Sequence, residues 1–102
     1  MDLIEAIISK DLNRVKYLLE AGTDPNYADD VANITPLHYA VSNNFPEAIP
    51  LLIIAGADLY AQTDDGETPL DTAKGLPRNI CIPTLEKYIL NSQKESDEDF
   101  NV

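Results

Sequence analysis

The sequence is poor in the residues that do chemistry. It holds one cysteine, Cys81, which can form no internal disulfide, so an oxidised scaffold and a cysteine-rich metal site are both excluded. It holds one histidine, His38, which leaves little material for a catalytic base with an orienting partner. No apolar run approaches the roughly 20 residues that a membrane span requires. The opening MDLIEAIISKDL is acidic where a signal peptide is basic and lacks a small-residue cleavage site, so a cytoplasmic setting is expected. There is no glycine-rich phosphate loop, no H-E-x-x-H and no basic stripe with aromatics.

The most informative absence is of positive charge. Between Lys16 and Lys74 there is no Lys or Arg, while the same interval carries Glu20, Asp24, Asp29, Asp30, Glu47, Asp58, Asp64, Asp65, Glu67 and Asp71. The net charge of −11 is therefore concentrated in the middle of the chain. Such a field repels nucleic acid and anionic membranes and steers basic surfaces toward itself. Solubility alone is the plainer reading of the same composition.

What is present is a folded-protein composition, with 44% hydrophobic and 25% charged residues over 102 positions, enough for one small domain. It is also a repeat. TPLHYA at 35–40 and TPLDTA at 68–73 start 33 residues apart, and EAGTDPN at 20–26 matches IAGADLY at 54–60 with Gly22 and Gly56 spaced 34 apart. Apolar trios at i, i+3 and i+4 recur as Val15/Leu18/Leu19, Ile49/Leu52/Ile53 and Leu85/Tyr88/Ile89, each one stripe of a helix. These periods predict three helix pairs, about 2–9 with 12–21, 36–43 with 46–55, and 69–75 with 82–91, joined by loops at 22–34 and 56–67.

The punctuation has physical causes. Thr35 and Thr68 are N-cap residues with Pro36 and Pro69 at the first helical position, where a missing N–H costs nothing. Gly22 and Gly56 suit the left-handed residue just past a helix end. Gly66 supplies a positive φ in the second loop, and Asn33 holds the matching place in the first. Pro50, one turn after Pro46, costs about 3 kcal/mol inside a regular helix, so a loose or 3₁₀-like first turn is expected there.

Together these residues resemble the ankyrin repeat. Residues 35–67 match through their whole length, 1–34 are similar to an N-terminal capping repeat without the opening motif, and 68–91 to a C-terminal one. The resemblance implies an all-α fold, a short solenoid of about three helix-turn-helix units with projecting hairpin loops, here called fingers. The expected domain is 1–91 (repeats about 1–34, 35–67 and 68–91). The aperiodic, acidic segment 92–102 is expected to be a disordered tail. The third repeat has about three extra residues between its helices, in KGLPRNICIP.

The resemblance also recasts His38 as a brace between the threonine of its own motif and a backbone group of the next loop. Cys81 sits in the apolar stretch NICIP and reads as a buried thiol. Asp29/Asp30 and Asp64/Asp65 lack the alternating spacing of a calcium loop. No catalytic residue, metal site or cofactor is expected. Recognition remains, through the finger tips and exposed ends of the inner helices. Carried onto this chain, these are Asp30, Val31 and Ile34, then Ser42 and Asn43, then Gln62, Asp64, Asp65 and Glu67, with Tyr39 as a possible aromatic anchor; Tyr27 and Tyr60 fit packing better. The expected activity is non-enzymatic binding of a basic protein by a monomer, most concretely as a stoichiometric inhibitor or immunity-type protein for a toxin or nuclease. An intracellular adaptor bridging two proteins is the alternative, and a small enzyme the third reading.

Overall fold

The computed structural model describes the backbone of residues 2–100 and the side chains of residues 2–91. Six helices follow one another: α1 (Leu3–Ile8), α2 (Leu12–Glu20), α3 (Pro36–Ser42), α4 (Ala48–Ile54), α5 (Pro69–Lys74) and α6 (Cys81–Phe100). Each odd helix turns back into the even one after it, and α1, α3 and α5 pack in a row as the inner layer, with α2 beside α4 in the outer layer. The described residues contain no strand, and none of their helices is long and apolar enough to cross a membrane.

The inner helices start where the caps predict. Thr35 and Thr68 each accept a hydrogen bond from the backbone N–H three residues on, with proline at the first helical position. Asp2 and Glu5 form the same reciprocal box at α1. The outer helices stop in Schellman turns. Gly22 (φ 97°) and Gly56 (φ 108°) adopt the left-handed conformation, and the N–H groups of Gly22 and Thr23, like those of Gly56 and Ala57, return to carbonyls of the preceding helix. Within the fingers, Asn33 (φ 59°) and Gly66 (φ 82°) occupy the two positive-φ turns that were expected.

Pro50 is accommodated by a late start. Helix α4 begins at Ala48, so Pro50 falls in its first turn, where an N–H has no intrahelical partner in any case. Before it, the N–H groups of Ala48 and Ile49 reach back only three residues, to Phe45 (3.3 Å) and Pro46 (3.1 Å), which is 3₁₀ geometry.

The three stripes converge on one core. Val15, Ile49, Leu52 and Leu85 are fully buried, together with Ile7, Leu37, Val41 and Cys81. Each large aliphatic side chain buried this way contributes about 1.5–3 kcal/mol. Alanines at 6, 40, 48 and 73 are also fully buried, and their small size lets the helices approach closely.

The long inter-helix segment of the third repeat is tied down by two asparagines. Asn79 donates to the Val41 carbonyl (2.9 Å) and accepts from the Cys81 N–H (2.8 Å), while Asn44 accepts from the Ile80 N–H (2.9 Å). Helix α6 then packs on α5, with Cys81 and Leu85 in the core. It continues past residue 91, where the apolar period stops, to Phe100. No proline or glycine interrupts that stretch, so nothing in its composition breaks the backbone ladder. Residues 101 and 102 lie outside the described residues.

Candidate functional site

The fingers lean over the inner helices and leave a groove of about 180 Å³, lined by Ala32 and Ile34 from the first finger, His38 and Ser42 from α3, Thr63, Asp65 and Glu67 from the second finger, and Thr72 from α5. Its walls carry hydroxyls and carboxylates, the committed ring of His38, and no lysine or arginine.

The two fingers are clamped by different chemistry. In the first, Asp29 Oδ1 accepts from the N–H groups of Val31, Ala32 and Ile34, and Oδ2 accepts from the Tyr39 hydroxyl. That hydroxyl, with the three backbone donors, holds the Asp29 carboxyl below its usual range; the same bond, with some desolvation, raises the Tyr39 phenol above its own. In the second finger Thr63 Oγ1 accepts from the N–H groups of Asp65 and Glu67 at 3.3 Å each. A hydroxyl thus replaces a carboxylate.

The fingers are also laced to each other. Asn26 donates to the Gly56 carbonyl (3.0 Å) and accepts from the Asp58 N–H (2.7 Å). Asn33 donates to the Gln62 carbonyl (3.3 Å), and the Asp64 N–H donates to the Ala32 carbonyl (3.0 Å).

His38 is 1% exposed and has both ring nitrogens engaged. Nδ1 lies 2.7 Å from Thr35 Oγ1 and accepts from the Thr35 N–H at 3.3 Å, while Nε2 is 2.8 Å from the Glu67 carbonyl. A carbonyl only accepts and a backbone N–H only donates, so the proton sits on Nε2 and Nδ1 is the acceptor. Neither nitrogen is free for proton transfer. Cys81 is buried, with its Sγ 3.9 Å from the Ala40 carbonyl, and burial pushes its thiol up to about 11. The two side chains best suited to nucleophilic or acid–base work are therefore occupied structurally.

Of the residues proposed from sequence, Ile34, Ser42, Asp65 and Glu67 line the groove. Asp30 and Val31 stand at the first finger tip, Val31 being 89% exposed, and Gln62 and Asp64 are exposed on the second finger. Tyr39 and Asn43 are half-buried and outside the groove. Tyr39 spends its hydroxyl on Asp29, and the Asn43 amide donates to the Tyr39 carbonyl (2.8 Å). The Glu67 carboxylate accepts from the Thr72 hydroxyl at 3.2 Å and still faces the groove. Groove residues missed by sequence reasoning are Ala32, Thr63 and Thr72. The repeat marks both threonines, because Thr63 stands 34 residues after Asp29, the clamp of the longer first finger, and Thr72 stands 33 after Tyr39.

Comparison with known proteins agrees with this geometry. A family model described as "Ankyrin repeats (3 copies)" matches residues 3–82. Human "Protein phosphatase 1 regulatory subunit 27" is 44% identical over 69 residues, covering 68% of this chain and 44% of that protein. Mouse "2-5A-dependent ribonuclease" is 40% identical over 67 residues, 66% of this chain but 9% of the enzyme. Fowlpox virus "Putative ankyrin repeat protein FPV024" is 40% identical over 82 residues, 80% of this chain and 14% of that one. The chain spans less than half the length of each of these relatives. On its helix pairs, caps, finger braces and family match, the chain belongs to the ankyrin-repeat family, whose repeats mediate protein–protein interaction.

Proposed function

We propose that this chain is a non-enzymatic, cytoplasmic binding protein whose fingers and groove clasp a basic protein surface, and that it restrains its partner stoichiometrically, as an inhibitor or immunity-type protein restrains a toxin or nuclease. The observation that carries the reading is the groove itself, where Asp65 and Glu67 join the exposed Asp30 and Asp64 on a surface with no lysine or arginine between positions 16 and 74. Asp29 contributes less to a partner because its oxygens are committed inside the finger. The apolar Val31 at the finger tip supplies the contact area that charge alone does not. The human relative's name, a regulatory subunit of a phosphatase, supports a role in modulating an enzyme. In this reading one chain holds one partner, and residues 92–102 add acidic charge beyond the repeats.

Electrostatic complementarity acts mainly on the association rate and is screened by salt. Once the partner is captured, replacing Asp64, Asp65 and Glu67 by Asn, Asn and Gln is expected to lower the association rate at least about tenfold at low salt and to flatten its salt dependence. Affinity and salt slope both equal to those of the parent chain would refute the acidic grip. Val31→Ser, which adds no charge, separates the apolar contribution, which acts on dissociation.

A further inference from the structure

The opposite side of the molecule carries a second depression that the proposed groove does not use. Between α2 and α4 lies an apolar trough of about 230 Å³, walled by Leu19, Leu51, Ile54 and Ala55, with Lys16 and Glu20 along the α2 side. Ile54 is 81% exposed, although it belongs to the stacked helices and not to a loop. An aliphatic side chain left this bare beside an apolar trough marks an unfilled contact.

The charge distribution says which occupant fits. The excess of acid lies in the fingers and the groove, whereas α2 carries Arg14, Lys16 and Glu20 and α4 carries no charged residue. This outer face is where two chains of net charge −11 meet without opposing their one-sign surfaces. Lys16 and Glu20 lie one turn apart on the same helix, about 6 Å along its axis. A two-fold axis midway between them brings each Lys16 against the other copy's Glu20, twice over, so the strip is complementary to itself. Isologous pairing demands that property.

We propose that the outer face of α2 and α4 is the surface through which two copies of this chain associate, with Ile54 of each packed into the trough of the other. The dimer leaves both finger grooves free and facing outward, so it presents two partner sites. It is independent of what the groove binds.

The test is sedimentation equilibrium of the full chain over a wide concentration range, at an ionic strength that screens the fingers. The expected weight-average mass climbs from that of one chain toward twice 11.3 kDa, and Ile54→Asp holds it at one chain while melting as the parent does at concentrations where the parent is a single chain. Lys16→Glu and Glu20→Lys each weaken self-association at least about tenfold. Mixing those two variants restores it, because the mixed pair recovers both opposite-charge contacts. A mass fixed at one chain throughout overturns the proposal, as does self-association that all three substitutions leave unchanged. So does a trough that engages only a different protein, seen as loss of that protein from the Ile54→Asp variant of a chain that is always monomeric.

Discussion

His38 and Asp71 hold the same slot in successive repeats and share half of one job. Each accepts the backbone N–H of its N-cap threonine, at 3.3 Å for His38 and 3.2 Å for Asp71, and so closes the capping box at its helix start. The imidazole is longer and has a second nitrogen, which crosses to the Glu67 carbonyl in the next finger. Asp71 is exposed and makes no such crossing. Removing the ring by His38→Ala leaves that carbonyl without its donor and Thr35 without its acceptor, so a loss of about 1–3 kcal/mol is expected in denaturant unfolding. Asp71→Ala costs about 1 kcal/mol or less, since only a solvent-exposed cap bond goes. Equal losses in the two variants would mean that the crossing bond adds nothing. The capping role of Asp71 was not read from sequence, because aspartate at that position looks like surface charge until the threonine N–H is seen to point at it.

Helix α4 shows how a local rule is satisfied by moving a boundary. With Pro50 in the first turn, its ring meets no carbonyl of a preceding helical turn and its missing N–H has no intrahelical partner to lose. Pro50→Ala is therefore expected to change stability by less than about 1 kcal/mol, in a direction set by the unfolded chain, whose freedom proline restricts. A gain near 3 kcal/mol in chemical denaturation would instead place Pro50 in a strained helix interior. The existence and order of the helices were legible from the 33-residue period, the prolines and the glycines. The ties between them were not. Asn26, Asn44 and Asn79 bridge 30 to 38 residues, and all of those bonds end on backbone groups that any residue supplies. No pairing of residue types in the sequence announces such a bond. The groove was half legible for a related reason: charged and apolar positions attract notice, while the threonines and the alanine between them do not.

The three repeats share one core, and none holds a core of its own. Ile7 comes from the first, Leu37, Ile49 and Leu52 from the second, and Cys81 and Leu85 from the third, all fully buried. In a short solenoid each unit is stable only against its neighbours, so unfolding is expected to be a single cooperative transition. Cutting the chain before Thr68 uncovers the α3 face that packs on α5, and the remaining 67 residues are expected to lose the cooperative melt seen by circular dichroism. A truncated chain that melts with a sharp transition of its own would show that two repeats suffice.

The lacing between the fingers has a consequence for the energetics of recognition. Three bonds from asparagine side chains and one from the backbone couple the first hairpin to the second, on top of the clamp inside each. Two loops joined at that many points respond to a load as one plate, so Asp30 and Asp65 hold their spacing before any partner arrives. The entropy of ordering that surface is spent during folding, and a docking protein meets a ready-made template instead of two independent strings.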